Sequence, residues 1–301
     1  MKLSPTKSFF LVLALVLTVF LLSCEQQINI NLKSDTSQLV VQGAIETNLP
    51  PYVILTNSLG FFSTISLSNL QNSFVHNASI QVNDGTNTVT LKEYKVDTAG
   101  GGSFYIYTLD TSNSAQLMFG VVNKFYSLTI NVNGKTYTAT TKIPNPKGCD
   151  TEWFAAPIFQ NKKTPDSAYQ LYINYTDPDT PGNNVVYYTQ INGGQTYIAG
   201  VYNDAVVNGK TVKKIALVAG YDDSVSANPD SARYFYPGDT VVLKWCEIDN
   251  RVYNFWNDYF YALQTTGNPF ASPTNVIGNV SNGAVGVWAG YGSIYYKLVV
   301  Q

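Results

Sequence analysis

The stretch DTVVLKWCEIDNRVYNFWNDYFYALQTTGNPFASPTNVIGNVSNGAVGVWA, residues 239–289, decides how this chain is read. It opens as a strand, Asp239 to Trp245, and then changes period. Val252, Phe255, Trp256, Tyr259, Phe260 and Leu263 recur at helical spacing and share one apolar face. Asn254, Asn257, Asp258 and Gln264 occupy the opposite face. Asp249 stands at the N-cap position, Gly267 at the stop, and Pro269 prevents resumption. The spacing predicts a helix near residues 250–265. Arg251 is its only cation, which disfavours a membrane-surface helix, because lipid attraction needs a basic face. The helix is therefore expected to plug the core of a β-rich domain.

Outward from this stretch the chain is made of short strands and turns. Leu39–Ile45, Tyr52–Thr56, Ala78–Val82, Thr88–Leu91, Phe104–Leu109, Tyr126–Val132 and Thr136–Ala139 read as strands. Asn83-Asp84-Gly85 and Asn133-Gly134 mark hairpins, since Asn and Gly tolerate the positive φ of a type I′ turn. About seven strands with turn signals every 8–12 residues or so predict a β-sandwich, closed by Pro144 and Pro146. Beyond it, Tyr169–Tyr175 and Val185–Thr189 read as strands. Ala205–Val212 reads as an Asn208-Gly209 hairpin. Gly283–Trp288 and Ile294–Val300 read as two closing strands. The expected fold is mainly β. Residues 24–146 make an N-terminal β-sandwich, and residues 147–301 make a second β-rich domain carrying the helix.

The N-terminus is expected to be removed. Lys2 and Lys7 precede the near-apolar run Phe9–Leu22, which is short for a bilayer-spanning helix and fits a signal peptide over residues 1–23. The run ends in Leu21-Leu22-Ser23-Cys24, which resembles a bacterial lipobox. There the Cys24 sulfur takes a diacylglycerol, and acyl chains hold the protein by burying methylenes at about 0.8 kcal/mol each. An ordinary secretory signal with an incidental cysteine is the alternative. Gln27–Leu32 alternates polar and apolar, so a strand is expected within about three residues of the lipid, a tether of roughly 10 Å.

Composition narrows function further. Charged residues are 13%, hydrophobic residues 45%, and Tyr counts 22, far from disordered composition. Loss of Lys2 and Lys7 leaves 16 of the 18 basic residues against 20 acidic ones. No basic tract remains, so nucleic acid is not an expected partner. Cys149 and Cys246 are a candidate disulfide pair in an oxidising compartment, with two buried free thiols as the alternative. His76 is the only histidine, which excludes multi-histidine zinc sites and leaves one candidate member for any Ser-His-Asp triad. It reads as a structural or surface residue. Asp177–Asn184 has the oxygen density of a calcium loop without EF-hand spacing, and reads as a turn. Asp222, Asp223 and Asp230 read the same way. No catalytic residue, metal site or cofactor is expected. Tyr105 and Tyr107, on one face of their strand, are candidate glycan contacts.

Several segments together resemble the outer-membrane lipoprotein family catalogued as domain of unknown function 4249. They are Leu39–Ile45 after Cys24, Ala78–Asp84, Tyr137-Thr138-Ala139 before Ile143-Pro144, and Asp177-Pro178 leading to Tyr187-Tyr188. Pro237–Val241 before the helix, and Asn268-Pro269-Phe270 running through Asn279-Val280 to Gly283–Gly286, complete the match. Val287-Trp288 stands where the family pattern leads to a Phe-centred ending. The resemblance implies export, lipid anchoring at the outer membrane and an Ig-like or transthyretin-like first domain. It also implies a setting similar to accessory lipoproteins that accompany TonB-dependent receptors. The expected function is a non-enzymatic binding or accessory role in nutrient uptake. A structural or adhesive surface module is the alternative.

Overall fold

In the computed structural model of the chain, residues 37–301 are described except for 60–65, 99–100, 159, 161–162, 223–228, 266–267 and 269–274. Cys24, the Gln27–Leu32 strand, Gly267 and Pro269 lie outside the described residues.

The described chain is mainly β. The first seven strands are β1 (Leu39–Glu46), β2 (Tyr52–Asn57), β3 (Ser79–Asn83), β4 (Thr88–Asp97), β5 (Ser103–Leu109), β6 (Phe125–Val132) and β7 (Lys135–Lys142). The next seven are β8 (Thr151–Ala155), β9 (Gln170–Thr176), β10 (Asn184–Ile191), β11 (Thr196–Asn203), β12 (Thr211–Leu217), β13 (Thr240–Ile248) and β14 (Val285–Val299). Three helices accompany them: α1 (Leu67–Ser73), α2 (Pro229–Ala232) and α3 (Asn250–Thr265).

An eleven-stranded sheet runs in the order β11-β10-β13-β14-β1-β2-β5-β4-β3-β6-β7, and a three-stranded sheet in the order β12-β9-β8. Strand β14 joins the halves of the large sheet. Its first part, Val285–Tyr291, pairs in parallel with Val40–Glu46 of β1. Its second part, Gly292–Val299, pairs antiparallel with β13. The boundary expected after Pro146 falls between β7 and β8, and the large sheet crosses it through β14.

The closing residues form one strand where two were expected. Gly290 and Gly292 read as interruptions, because glycine weakens a strand interior. Their role is tertiary. A Cβ on Gly290 would lie 2.2 Å from the Lys142 carbonyl oxygen, and one on Gly292 would lie 2.2 Å from that of Pro144. The glycines let the segment leaving β7 cross β14 at backbone contact. The large sheet thereby curls over, and Gly290 N–H donates to Thr141 Oγ1 at 2.8 Å.

Three cores result. The first lies inside the curl, with Ile45, Leu55, Ile80, Tyr107, Leu128 and Trp288 among its members. The second lies between the small sheet and one face of β10 and β13, around Leu171, Tyr187, Phe235 and Trp245. The third lies under α3 on the opposite face, around Val186, Cys246, Val252 and Ala289. Consecutive residues of a strand face opposite ways, so Trp245 and Cys246 serve different cores.

The hairpin turns behave as read. Asn133 and Gly134 have φ of 51° and 72° between the paired strands β6 and β7. The hairpin expected across Ala205–Val212 does not form. Strand β11 before the turn pairs with β10, and β12 after it pairs with β9 in the other sheet. Asp204 Oδ2 accepts the Gly182 and Asn183 N–H groups at 2.7 and 3.0 Å, which folds the turn back and passes the chain between sheets. Helix α1, at seven residues, is too short to give a periodic signal in the sequence. Ser66 caps it, accepting Asn69 N–H at 3.1 Å.

Helix α3 starts where expected. Asp249 Oδ1 accepts Arg251 and Val252 N–H at 2.9 and 3.0 Å, satisfying orphan donors of the first turn. Its apolar face is only partly a core plug. Val252 and Phe255 are buried, whereas Tyr259 and Leu263 are exposed. The packing partner runs out, because β11 is the edge strand of the sheet. Asp249 also reaches Thr141 Oγ1 at 3.2 Å, tying the cap to β7. Asp249→Ala is expected to cost about 1–2 kcal/mol, read as a lower denaturant midpoint.

Candidate functional site

A pocket of about 390 Å³ opens on the α3 side of the large sheet, where β14 hands over from β1 to β13. Alternation places Gln42 and Glu46 of β1, Tyr188 and Gln190 of β10, Lys244 of β13, and Tyr291 and Tyr295 of β14 along it. Tyr52 of β2 and Leu49 of the β1–β2 turn complete its wall.

Its centre is a buried ion pair between residues 198 positions apart. Lys244 Nζ donates to Glu46 Oε2 at 2.5 Å. The Tyr295 hydroxyl donates to the other carboxylate oxygen, Glu46 Oε1. The Lys244 ammonium also lies 5.0, 5.2 and 5.9 Å from the ring centroids of Tyr188, Tyr291 and Tyr295. Each ring presents the negative face of its quadrupole to the cation. Burial is the largest influence and opposes the ammonium charge, yet the neighbouring acidic groups Cys246 and Glu46, with the hydrogen bond to Glu46, together outweigh it and raise the Lys244 pKa. Burial likewise pushes the Tyr188, Tyr291 and Tyr295 hydroxyls up, so all three are neutral donors at physiological pH.

The helix buttresses this wall. Trp256 Nε1 donates to Tyr291 Oη at 3.2 Å, and Tyr188 Oη donates to the same oxygen at 3.1 Å. The main chain of Tyr291 is held as well, its carbonyl accepting Thr47 N–H at 3.0 Å. Rotamers locked in this way keep a binding surface preorganised.

Sequence reading passed over these residues. A signal was present: Lys244 and Glu247 are the only charges in the otherwise apolar β13, and a charge in a buried strand needs a partner. Which partner it has is a property of strand order.

The residues singled out by sequence lie elsewhere. Cys149 and Cys246 are free thiols, so the disulfide weighed for them is not formed. The physical reason is the large sheet between them. Cys149 packs with the second core, its N–H donating to Tyr296 Oη at 2.7 Å, and Cys246 belongs to the third, beside Ser293 Oγ at 3.2 Å. Burial pushes both thiols up to about 12, which keeps them unreactive. His76, just before β3, pairs with Glu93 of β4 and packs edge-on against Tyr105. Tyr107 is buried, its hydroxyl donating to the Val75 carbonyl at 2.8 Å. Asp177 Oδ2 accepts Gly209 N–H at 3.3 Å, which is turn chemistry. Among the described residues, no three His, Cys, Asp or Glu side chains are grouped to hold a metal ion.

One further carboxylate stands out. Glu247 is 2% exposed. Its Oε1 accepts Asn183 Nδ2 at 2.9 Å, and its Oε2 has no partner among the described residues. Burial, followed by the nearby Asp177 and Asp204, raises its pKa from 4.5 to about 7. The native state then holds a proton that the unfolded chain releases. Stability from that proton is complete below about pH 4.5 and is lost as pH rises to about 7, by up to about 3 kcal/mol. Glu247→Gln mimics the neutral acid. It is expected to flatten the thermal midpoint between pH 5 and 8 and to exceed the parent at pH 8. A parent profile that already lacks the decline would contradict the assignment.

No curated protein matches the chain. A family model described as a domain of unknown function, DUF4249, matches residues 25–294, most of the length. The match spans every strand of the large sheet up to the handover in β14 and includes Glu46, Lys244 and Tyr291. The chain belongs to the DUF4249 family.

Proposed function

We propose that this chain is a lipid-anchored, non-enzymatic binding protein of the outer membrane, serving a TonB-dependent receptor in nutrient uptake. The observation that carries the binding reading is the tyrosine-walled pocket over the Lys244–Glu46 pair. Its volume lies within the usual range for small-molecule sites, and its polar groups converge on one place. The state of its reactive groups favours binding over chemistry. Lys244 is held protonated, and Cys246, fully buried and outside the pocket lining, is held as a thiol, so neither is poised as a nucleophile. Anchoring rests on Leu21-Leu22-Ser23-Cys24, where the acylated Cys24 is the link to membrane lipid.

The receptor half of the reading is supported by an apolar rim. Leu49, Phe119 and Val121 are exposed, and Gly120 N–H donates to the Leu49 carbonyl at 3.0 Å, which brings the two loops together. Leu49 also borders the pocket. Exposed apolar clusters beside a ligand site are characteristic of partner contacts.

Crosslinking in intact cells, with the Cys24 anchor preserved, tests this reading. Recovery of a TonB-dependent β-barrel in near-stoichiometric amount is expected. Its absence, with nutrient uptake unchanged on gene deletion, would remove the accessory role. The same rim also favours the second reading, a structural or adhesive surface module. Recovery of matrix or secretion components in place of a barrel would establish that one.

A further inference from the structure

The pocket's own chemistry narrows what it can take. Its charges cancel, since Lys244 and Glu46 satisfy one another. An anion drawn to Lys244 meets the Glu46 carboxylate. A cation drawn to Glu46 meets the Lys244 ammonium. The three-tyrosine cage that would suit a quaternary ammonium already encloses the protein's own cation. A wholly apolar ligand would strip water from Gln42, Gln190, Thr196 and the ion pair with nothing in return.

A neutral molecule with hydroxyls around its edge and C–H groups on its face meets all of these demands. Glu46 accepts, Lys244 donates, and an amide side chain such as Gln42 does both. Gln190 Nε2 is held by the Gly194 carbonyl at 2.8 Å, which leaves its own carbonyl oxygen as an acceptor. Tyr295 is 53% exposed at the mouth, so its ring offers a flat apolar face beside those polar groups. We infer that the pocket binds a neutral sugar residue of hexose size, stacked on Tyr295 with its hydroxyls directed to Glu46, Lys244 and the glutamine amides. This rests on the binding reading above and names the ligand class of the same site.

The test uses the full lipidated chain in a zwitterionic detergent, since a glycosidic detergent would itself offer sugar headgroups. Saturation-transfer NMR and calorimetric titration would compare neutral hexoses and their disaccharides with glucuronate, glucosamine and choline. Saturable binding of neutral hexoses, at least about tenfold tighter than their charged counterparts, is expected. Tyr295→Ala should weaken binding by about tenfold, while Tyr295→Phe, which keeps the ring, should stay within about threefold of the parent. Circular dichroism establishes that both variants are folded. Binding of the charged ligands with neutral sugars silent would overturn the sugar assignment and leave the binding reading standing. Silence across the whole panel, with the receptor still recovered by crosslinking, would overturn the assignment and show that the pocket is not where the accessory role resides. Neutral-sugar binding unaffected by Tyr295→Ala would also overturn it, by placing the sugar elsewhere.

Discussion

Trp288→Ala is expected to lower the free energy of unfolding by about 3–5 kcal/mol, the range for deleting a buried large aromatic. Trp288 is fully buried in the core inside the curl of the large sheet. It reaches that core from β14, opposite Gly43 of β1, where an added Cβ would come within 2.9 Å of the indole. The missing side chain at Gly43 is thus the space the ring occupies. The indole Nε1 donates to the Tyr126 carbonyl at 3.0 Å, joining β14 to β6 across the core. Alanine would leave a cavity and remove this bond; the Tyr126 carbonyl keeps its ladder partner Thr141 in β7, so the cavity carries most of the cost. The measurement is the denaturant midpoint followed by far-ultraviolet circular dichroism, with the slope of the transition unchanged. Trp288→Phe keeps most of the ring and should recover more than half of the loss. A loss below about 1 kcal/mol for the alanine variant would mean that this core collapses around the gap.

The second large effect concerns the ion pair. Lys244→Met is expected to destabilise the chain by about 3–5 kcal/mol at neutral pH, because it leaves Glu46 buried with only the Tyr295 hydroxyl to solvate it. Glu46→Leu should cost a similar amount by stranding the ammonium among three rings. The double replacement should return to within about 1 kcal/mol of the parent, since two apolar side chains need no charge compensation. The diagnostic quantity is the coupling energy of the double-mutant cycle, expected to exceed about 2 kcal/mol. Additive losses would mean that each charge is solvated independently and that the pair is not the organising contact of the pocket. The double variant should also have lost the pocket's ligand while keeping the fold, which separates the two roles of these residues.

The strands themselves were legible because a half-buried strand must alternate. Tyr126–Val132 turns one face to water and one to a core, Tyr52–Thr56 alternates between half-buried and buried residues, and their letters say so. The turns at Asn83–Gly85 and Asn133-Gly134 were legible for a local reason too, since few residues tolerate positive φ. The start of α3 was legible because Asp249 and the first buried turn lie next to one another in the chain.

The misreadings share a different cause. Asn208-Gly209 turns the chain as its composition says, but composition does not say which sheet the next strand joins. Gly290 and Gly292 look like breaks until the Lys142 and Pro144 carbonyls are seen against them. The exposed end of α3 carries the same apolar letters as its buried start, because periodicity reports a face and not whether anything lies beneath it.

By itself the sequence determined the mainly β class, most strand positions, the tight hairpin turns and the cap of the long helix, all of which are settled within a few residues of one another. Only the tertiary structure decided that β14 joins both halves of one sheet, that Cys149 and Cys246 lie on opposite faces of it, and that Glu46 meets Lys244 under a wall of tyrosines. Alternation tells each side chain which face it takes. The neighbour it finds there is set by strand order, and strand order depends on contacts summed over the whole chain.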